Sequence, residues 1–237
     1  MADPTVTEDA GARPASTRTA AGSTVTKRKA AAPPPSVVSR WSATPGRLVA
    51  MAVAVLVLGV GIGMVLQSGS STRPSVNAVD VGFLQDMRTH HDQAVQMSLI
   101  YVSKADVNAT LRQVATEILL GQQFENGAFV QLLDDASKPT VNDTDVAMAW
   151  MGMPMKPADM PGIASDADIT SLRDAKGSAA DHLFADLMIA HHEGGIDMAK
   201  YAKEHGHWGK VRSLSASIVT TQTGEVNDLT RIKGTLP

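Results

Sequence analysis

The 237-residue chain carries 43% hydrophobic but only 4% aromatic side chains, which suits a helical protein with an aliphatic core and argues against a β-sandwich. Its net charge of −3 is unevenly placed: residues 1–47 hold seven Lys or Arg against three acids, so the remainder is acidic and nucleic acid is excluded as a partner of the folded part. With no cysteine, disulfides, thiolate metal sites and Cys-linked lipids are excluded, and twelve methionines remain as the soft donors.

Residues 1–46 are rich in Ala, Thr, Ser and Pro, including Pro33, Pro34 and Pro35, and hold little that builds a core; they read as a disordered tail. Leu48 to Leu66 is a run of 19 residues without a charge, long enough at helical rise to cross a bilayer, and predicts a transmembrane helix over 47–67. The basic leader is too long for a cleaved signal peptide, so the span reads as a retained anchor. Arg40 and Arg47 precede it and only Arg73 follows closely, which places the tail in the cytoplasm and the C-terminal part on the periplasmic side of the cytoplasmic membrane.

Residues 68–78 form a linker, and a helical domain is predicted over 79–234. Apolar periodicity predicts helices at about 78–103, 107–134, 167–175, 178–204 and 208–233, with Pro and Gly interruptions from Lys138 to Gly162. No stretch alternates as a strand does.

The domain is a duplication. Phe83, Met87, His90, His91, Asp92 and Met97 recur 101 residues later as Phe184, Met188, His191, His192, Glu193 and Met198. Ile118, Gln122 and Glu125 recur 100 residues later as Ile218, Gln222 and Glu225, so each copy is a helical hairpin. At about 100° per residue, Phe83, Met87, His90, Ala94, Met97 and Tyr101 share one face; Phe184, Met188, His191, Gly195, Met198 and Ala202 repeat it. His91 and His192 stand on the shoulder of this stripe, and Asp92 and Glu193 point away. Two thioethers and an imidazole on one stripe suit a soft metal ion; the alternative is an aliphatic core with satisfied histidines. Glu125 and Glu225 are placed to accept the second ring N–H of a stripe histidine.

Between the copies, Met148, Met151, Met153, Met155 and Met160 occur in a segment that Pro154, Pro157 and Pro161 keep from being one helix. Met151, Met153 and Met155 are candidate loop ligands for Cu(I), the alternative being a Met-rich lid packed on the bundle or on a partner. His182, His205 and His207 fall at or near helix ends, where capping or exposure is the ordinary role. A phosphate-binding Gly loop, a nucleophile elbow and a zinc-protease His-Glu-x-x-His are all missing, and so is the Glu-x-x-His of a di-iron site.

The doubled Met-x-x-His-His-x-x-Ala-x-x-Met pattern resembles the family known as domain of unknown function 305, most closely over Met160-Pro161-Gly162 and from Leu187 through Ala199. The resemblance implies a ferritin-like four-helix bundle exported to the periplasm or cell envelope, with copper binding or copper tolerance known for some members of the family. The ligand pattern it implies maps onto Met87, His90, His91 and Met97, then Met188, His191, His192 and Met198. The first copy departs from the pattern at Asp92 and Gln93, and the second at Gly195, which leaves extra space beside His191.

The expected function is thus copper sequestration or delivery by an all-α, membrane-anchored bundle, with Cu(I) as the cargo and no covalent catalysis. The alternative is an accessory subunit of a membrane complex, such as a respiratory assembly or a copper-dependent oxidase. A metal-dependent oxidoreductase is a lesser alternative, since it needs an open coordination position.

Overall fold

A computed structural model of the protein describes residues 73–237. The expected tail, the transmembrane helix and most of the linker lie outside the described residues. Among those described, no helix is long and apolar enough to cross a membrane.

Five α-helices follow in order: α1 (Ala78–Val102), α2 (Ala109–Asp135), the short α3 (Asp166–Asp174), α4 (Gly177–His205) and α5 (Gly209–Lys233). Polar side chains set the first three starts. Asn77 and Asp80 form a reciprocal capping box at α1. Asn108 Oδ1 accepts from the backbone of Thr110 and Leu111 at α2. Ser165 and Asp168 repeat the capping box at α3. The only strand-like element among the described residues is an isolated antiparallel bridge between Ala147 and Met155.

The four long helices form a bundle of two hairpins, α1 with α2 and α4 with α5, joined mainly where α1 packs on α4. The central pair runs antiparallel: the Tyr101 hydroxyl at the end of α1 donates to Asp181 near the start of α4, and His90 and His191 meet at mid-length. Every residue of the α1 stripe is fully buried, as are its α4 counterparts. The apolar core falls into two clusters. One gathers Phe83, Met87, Phe129, Met198, Ala202 and Ile218; the other gathers Met97, Tyr101, Ile118, Phe184, Met188 and Leu229. Each cluster therefore takes one stripe methionine from each repeat, as the antiparallel crossing requires.

The segment between the repeats is ordered into two 3-10 turns, Ala149–Met151 and Pro157–Asp159. Of the five loop methionines, two pack on the bundle in the manner of the lid alternative. Met148 and Met160 are buried in the first cluster, because the segment folds back onto α1 and seals that end of the bundle.

Candidate functional site

Four imidazoles, His90, His91, His191 and His192, are completely buried at the bundle centre. The rings of His90 and His191 face each other with centroids 3.8 Å apart and planes tilted by 36°. His90 Nε2 donates to the Pro161 carbonyl at 2.9 Å, and His191 Nε2 donates to the carbonyl of His90 at 2.9 Å. A carbonyl only accepts, so both rings hold their proton on Nε2 and present Nδ1 as a bare lone pair. Burial first, and then the neighbouring histidines, drive these rings away from the imidazolium form: His90 is lowered to about 3 although its bond to Pro161 opposes the shift, and His191 lies well below the ordinary range.

The shoulder histidines meet the carboxylates of the outer helices. His91 Nε2 shares a 2.8 Å hydrogen bond with Glu125 Oε2, and His91 also packs edge-on against Phe129 at 5.1 Å. Burial lowers His91 to about 3. His192 Nε2 stands 2.9 Å from Glu225 Oε2, but off the axis a hydrogen bond needs, so both atoms lack a hydrogen-bond partner. Burial, followed by the charge of Glu225, raises the Glu125 carboxyl to about 8, with His192 pulling the other way. The two glutamates thus serve His91 and His192, the shoulder positions, while backbone carbonyls orient the stripe pair. The expectation that these carboxylates serve a stripe histidine is corrected: the ring N–H groups of His90 and His191 are already taken by carbonyls, which leaves the glutamates to the shoulder rings.

A strap crosses the central pair. Gly162 adopts φ +81°, and a Cβ there would lie 2.5 Å from the Ala190 carbonyl and 2.8 Å from His191 Cα. A Cβ on Gly194 would lie 2.1 Å from the Pro161 carbonyl oxygen. Gln93 fixes the strap from α1: its amide donates to the Ala164 carbonyl at 2.8 Å and accepts from Ala164 N at 2.7 Å. The departure at Gln93 is thereby explained, since its repeat counterpart Gly194 must be side-chain-free to admit the same strap. The space expected beside Gly195 is not open; the Gln222 amide fills it, with Oε1 2.5 Å from where a Cβ would stand.

The Nδ1 atoms of all four histidines are buried without a partner, as are both amide atoms of Gln222. Buried polar atoms are nearly always paired, so such a group of unpaired polar atoms calls for an explanation. Among the described residues no three His, Cys, Asp or Glu side chains converge as a metal cage. The buried soft donors are the four imidazoles and the fully buried thioethers Met87 and Met198 in one cluster and Met97 and Met188 in the other. That mixture suits a soft cation better than one requiring several oxygens. Met151 and Met155 lie half-buried at the rim of the first cluster and Met153 is 45% exposed, so these three are not part of the buried layer. His205 stacks loosely on Tyr201 at 4.2 Å and His182 donates to the Pro237 carbonyl, both at the surface.

A family model for the domain of unknown function DUF305 matches residues 80–233, well over half of the chain. The chain belongs to the DUF305 family. Among solved structures, a DUF305 protein of Streptomyces coelicolor, proposed to be secreted, is 34% identical with a TM-score of 0.60; the match covers 66% of this chain and 94% of that one. A DUF305 fragment from Deinococcus radiodurans is 28% identical with a TM-score of 0.59, covering 69% and 100% of the respective chains. CopM in its Cu(I)-bound form is 22% identical over 66% of this chain and 96% of its own, with a TM-score of 0.49. Comparison with curated proteins gave no match. In this DUF305 domain the strap meets the histidine layer at the centre of the fold, and the two methionine pairs fall in separate apolar clusters.

Proposed function

We propose that the domain binds a soft metal ion, Cu(I), in the buried histidine and methionine layer, and that it sequesters or delivers this ion without covalent catalysis. The observation that carries the proposal is the set of unpaired Nδ1 atoms on His90, His91, His191 and His192, between methionine pairs on either side. Neutral, pre-oriented imidazoles with free lone pairs are ready to bind metal with no proton to displace from His90 or His191. The Nε2–H bonds to carbonyls are the outer contacts that fix ligand orientation in metal sites. Residues that would hold the ion are Met87, His90, His91, Met97, Met188, His191, His192 and Met198, with Glu125 and Glu225 orienting the shoulder rings.

The uncharged run from Leu48 to Leu66 and its basic N-terminal flank support an anchored protein whose folded domain lies outside the cytoplasm. Titration of the purified chain with Cu(I) under a competing chelator, beside a variant with alanine at all four histidines, tests the proposal. Tight binding lost in the variant supports it. Equal affinity in the two would end it.

A second reading, an accessory subunit of a membrane complex, is favoured by one observation. Leu120 and Phe124, one turn apart on α2, are 62% and 47% exposed. Isolation of the protein in mild detergent distinguishes the readings: a larger co-purifying complex supports this one, and a reproducible free monomer counts against it.

A further inference from the structure

The buried layer poses a problem of access. All four histidines and all four stripe methionines are fully buried, so an ion reaching them must cross a shell of protein. The two ends of the bundle differ in what that shell contains. The cluster with Met97 and Met188 is otherwise aliphatic and aromatic, including the Tyr101 and Phe184 rings stacked at 4.3 Å. The cluster with Met87 and Met198 also holds Met148 and Met160, with Met151 and Met155 packed on its rim.

These thioethers are graded by depth. Met153 is exposed at the tip of the turn that the Ala147–Met155 bridge closes, and its N–H donates to the Met148 carbonyl at 3.2 Å. Met151 and Met155 are half-buried beside it. Met148 is fully buried, Met160 nearly so, and Met160 directly precedes the proline whose carbonyl holds His90. Met87 lies one helical turn before His90. A solvent-facing groove of about 530 Å³, bordered by Asn77, Gly82, Asp86, Asn142 and Trp150, opens at the same end.

We propose that this series is an access route for a soft monovalent cation, running from Met153 through Met151 and Met155 to Met148 and Met160, and then to Met87 and Met198 at the histidine layer. A bare cation in an apolar interior is strongly disfavoured. Thioethers provide weak, exchangeable soft donors at successive depths without requiring a charged residue in the core. Leucine would fill the same volume, so packing alone does not require methionine at these positions. The copy-specific side chains of α1 serve the same purpose, since they hold the Met-bearing segment in place. Asp86 accepts from Met148 N and from Trp150 Nε1, both at 2.8 Å, and Arg88 donates to the Thr140 carbonyl at 2.7 Å. Their repeat counterparts, Leu187 and Ile189, hold no such segment.

The inference rests on the metal-binding reading, and the test separates the two. Cu(I) is presented to the full chain as its bicinchoninate complex, and loss of that complex's colour is followed by stopped flow. The combined Met151→Leu, Met153→Leu and Met155→Leu variant is expected to take up Cu(I) at least tenfold more slowly, with final affinity and stoichiometry within twofold of wild type. Uptake at the wild-type rate would overturn the route while leaving the site intact. Lost affinity would also overturn it, by making these residues ligands. A wild-type chain that takes up no Cu(I) would overturn the metal reading itself.

Discussion

The strap gives a sharp prediction at Gly194. In an ordinary helix interior, Gly→Ala is stabilising by about 1 kcal/mol, because alanine has less backbone freedom to lose. At Gly194 the new Cβ would stand 2.1 Å from the Pro161 carbonyl oxygen and 2.4 Å from its carbon, more than 1 Å inside ordinary contact. The obstacle is backbone, pinned by His90 and by the Gln93–Ala164 pair, and cannot swing aside as a side-chain tip can. Overpacking of this kind costs about 1–3 kcal/mol, and losing the His90–Pro161 bond adds about 1 kcal/mol. Net of the helix gain, Gly194→Ala is expected to destabilise by roughly 1–3 kcal/mol, or about 2–12 °C in Tm for a domain of this size. Gly224→Ala is the control, since nothing lies within 4 Å of its Cβ position, and it should stabilise by about 0.5–1 kcal/mol. Thermal melts followed by circular dichroism measure both. A Gly194→Ala protein that melts with Gly224→Ala, at or above wild type, would refute the tight apposition of strap and α4.

The buried titrating groups predict a stability maximum near pH 6.5. Unfolded histidines protonate below about 6.5, whereas His90 and His91 resist to about 3 and His191 also lies well below its ordinary value, so stability is lost as pH falls from 6.5 towards 3, by roughly 1.4 kcal/mol per pH unit for each ring. Glu125, raised from 4.5 to about 8, has the opposite sign: the folded state keeps a proton that the unfolded chain releases, so stability also declines from 6.5 to 8. Urea midpoints from pH 4 to 8.5 should trace this dome, and a midpoint still rising above pH 7 would contradict it. Asp86→Ala leaves the indole N–H of Trp150 and the amide of Met148 without their acceptor; a loss of about 2–4 kcal/mol is expected, with a red-shifted Trp150 emission in a Trp41→Phe, Trp208→Phe background. Tyr101→Phe removes the 2.5 Å bond to buried Asp181, which keeps its 2.9 Å bond from Asn108 N; chemical denaturation should register about 1–3 kcal/mol.

The legible part of this protein is the part that periodicity controls. The helix over 78–103 is Ala78–Val102, and the stripe Phe83, Met87, His90, Ala94, Met97, Tyr101 is buried along its length, because side-chain direction in a helix follows from spacing alone. The duplication placed Glu125 and Glu225 equivalently in the two hairpins, but it gave them to the stripe histidines, whereas they stand beside the shoulder rings His91 and His192. The roles of Met148 and Met160 were hidden, because a proline-broken segment has no period to show which side chains turn inward. Gly162 and Gly194 carried a faint signal: Met160-Pro161-Gly162 and the paired glycines after His192 are sequence features without a helical reason, and both mark where backbone meets backbone.

The sequence by itself determined an all-α domain, its duplication, the four-histidine motif and the buried face of each long helix, all of which are local consequences of spacing and composition. Only the tertiary structure decided how those donors are shared. Antiparallel packing of the two central helices joins Met87 with Met198 and Met97 with Met188 in separate clusters, so each methionine pair draws on both repeats. It also decided which ring atoms are free, since the carbonyls that hold the Nε2–H of His90 and His191 come from Pro161, 71 residues away in sequence, and from the partner helix. Such contacts depend on where two helices cross, which is set by the packing of whole faces and is written in no single motif.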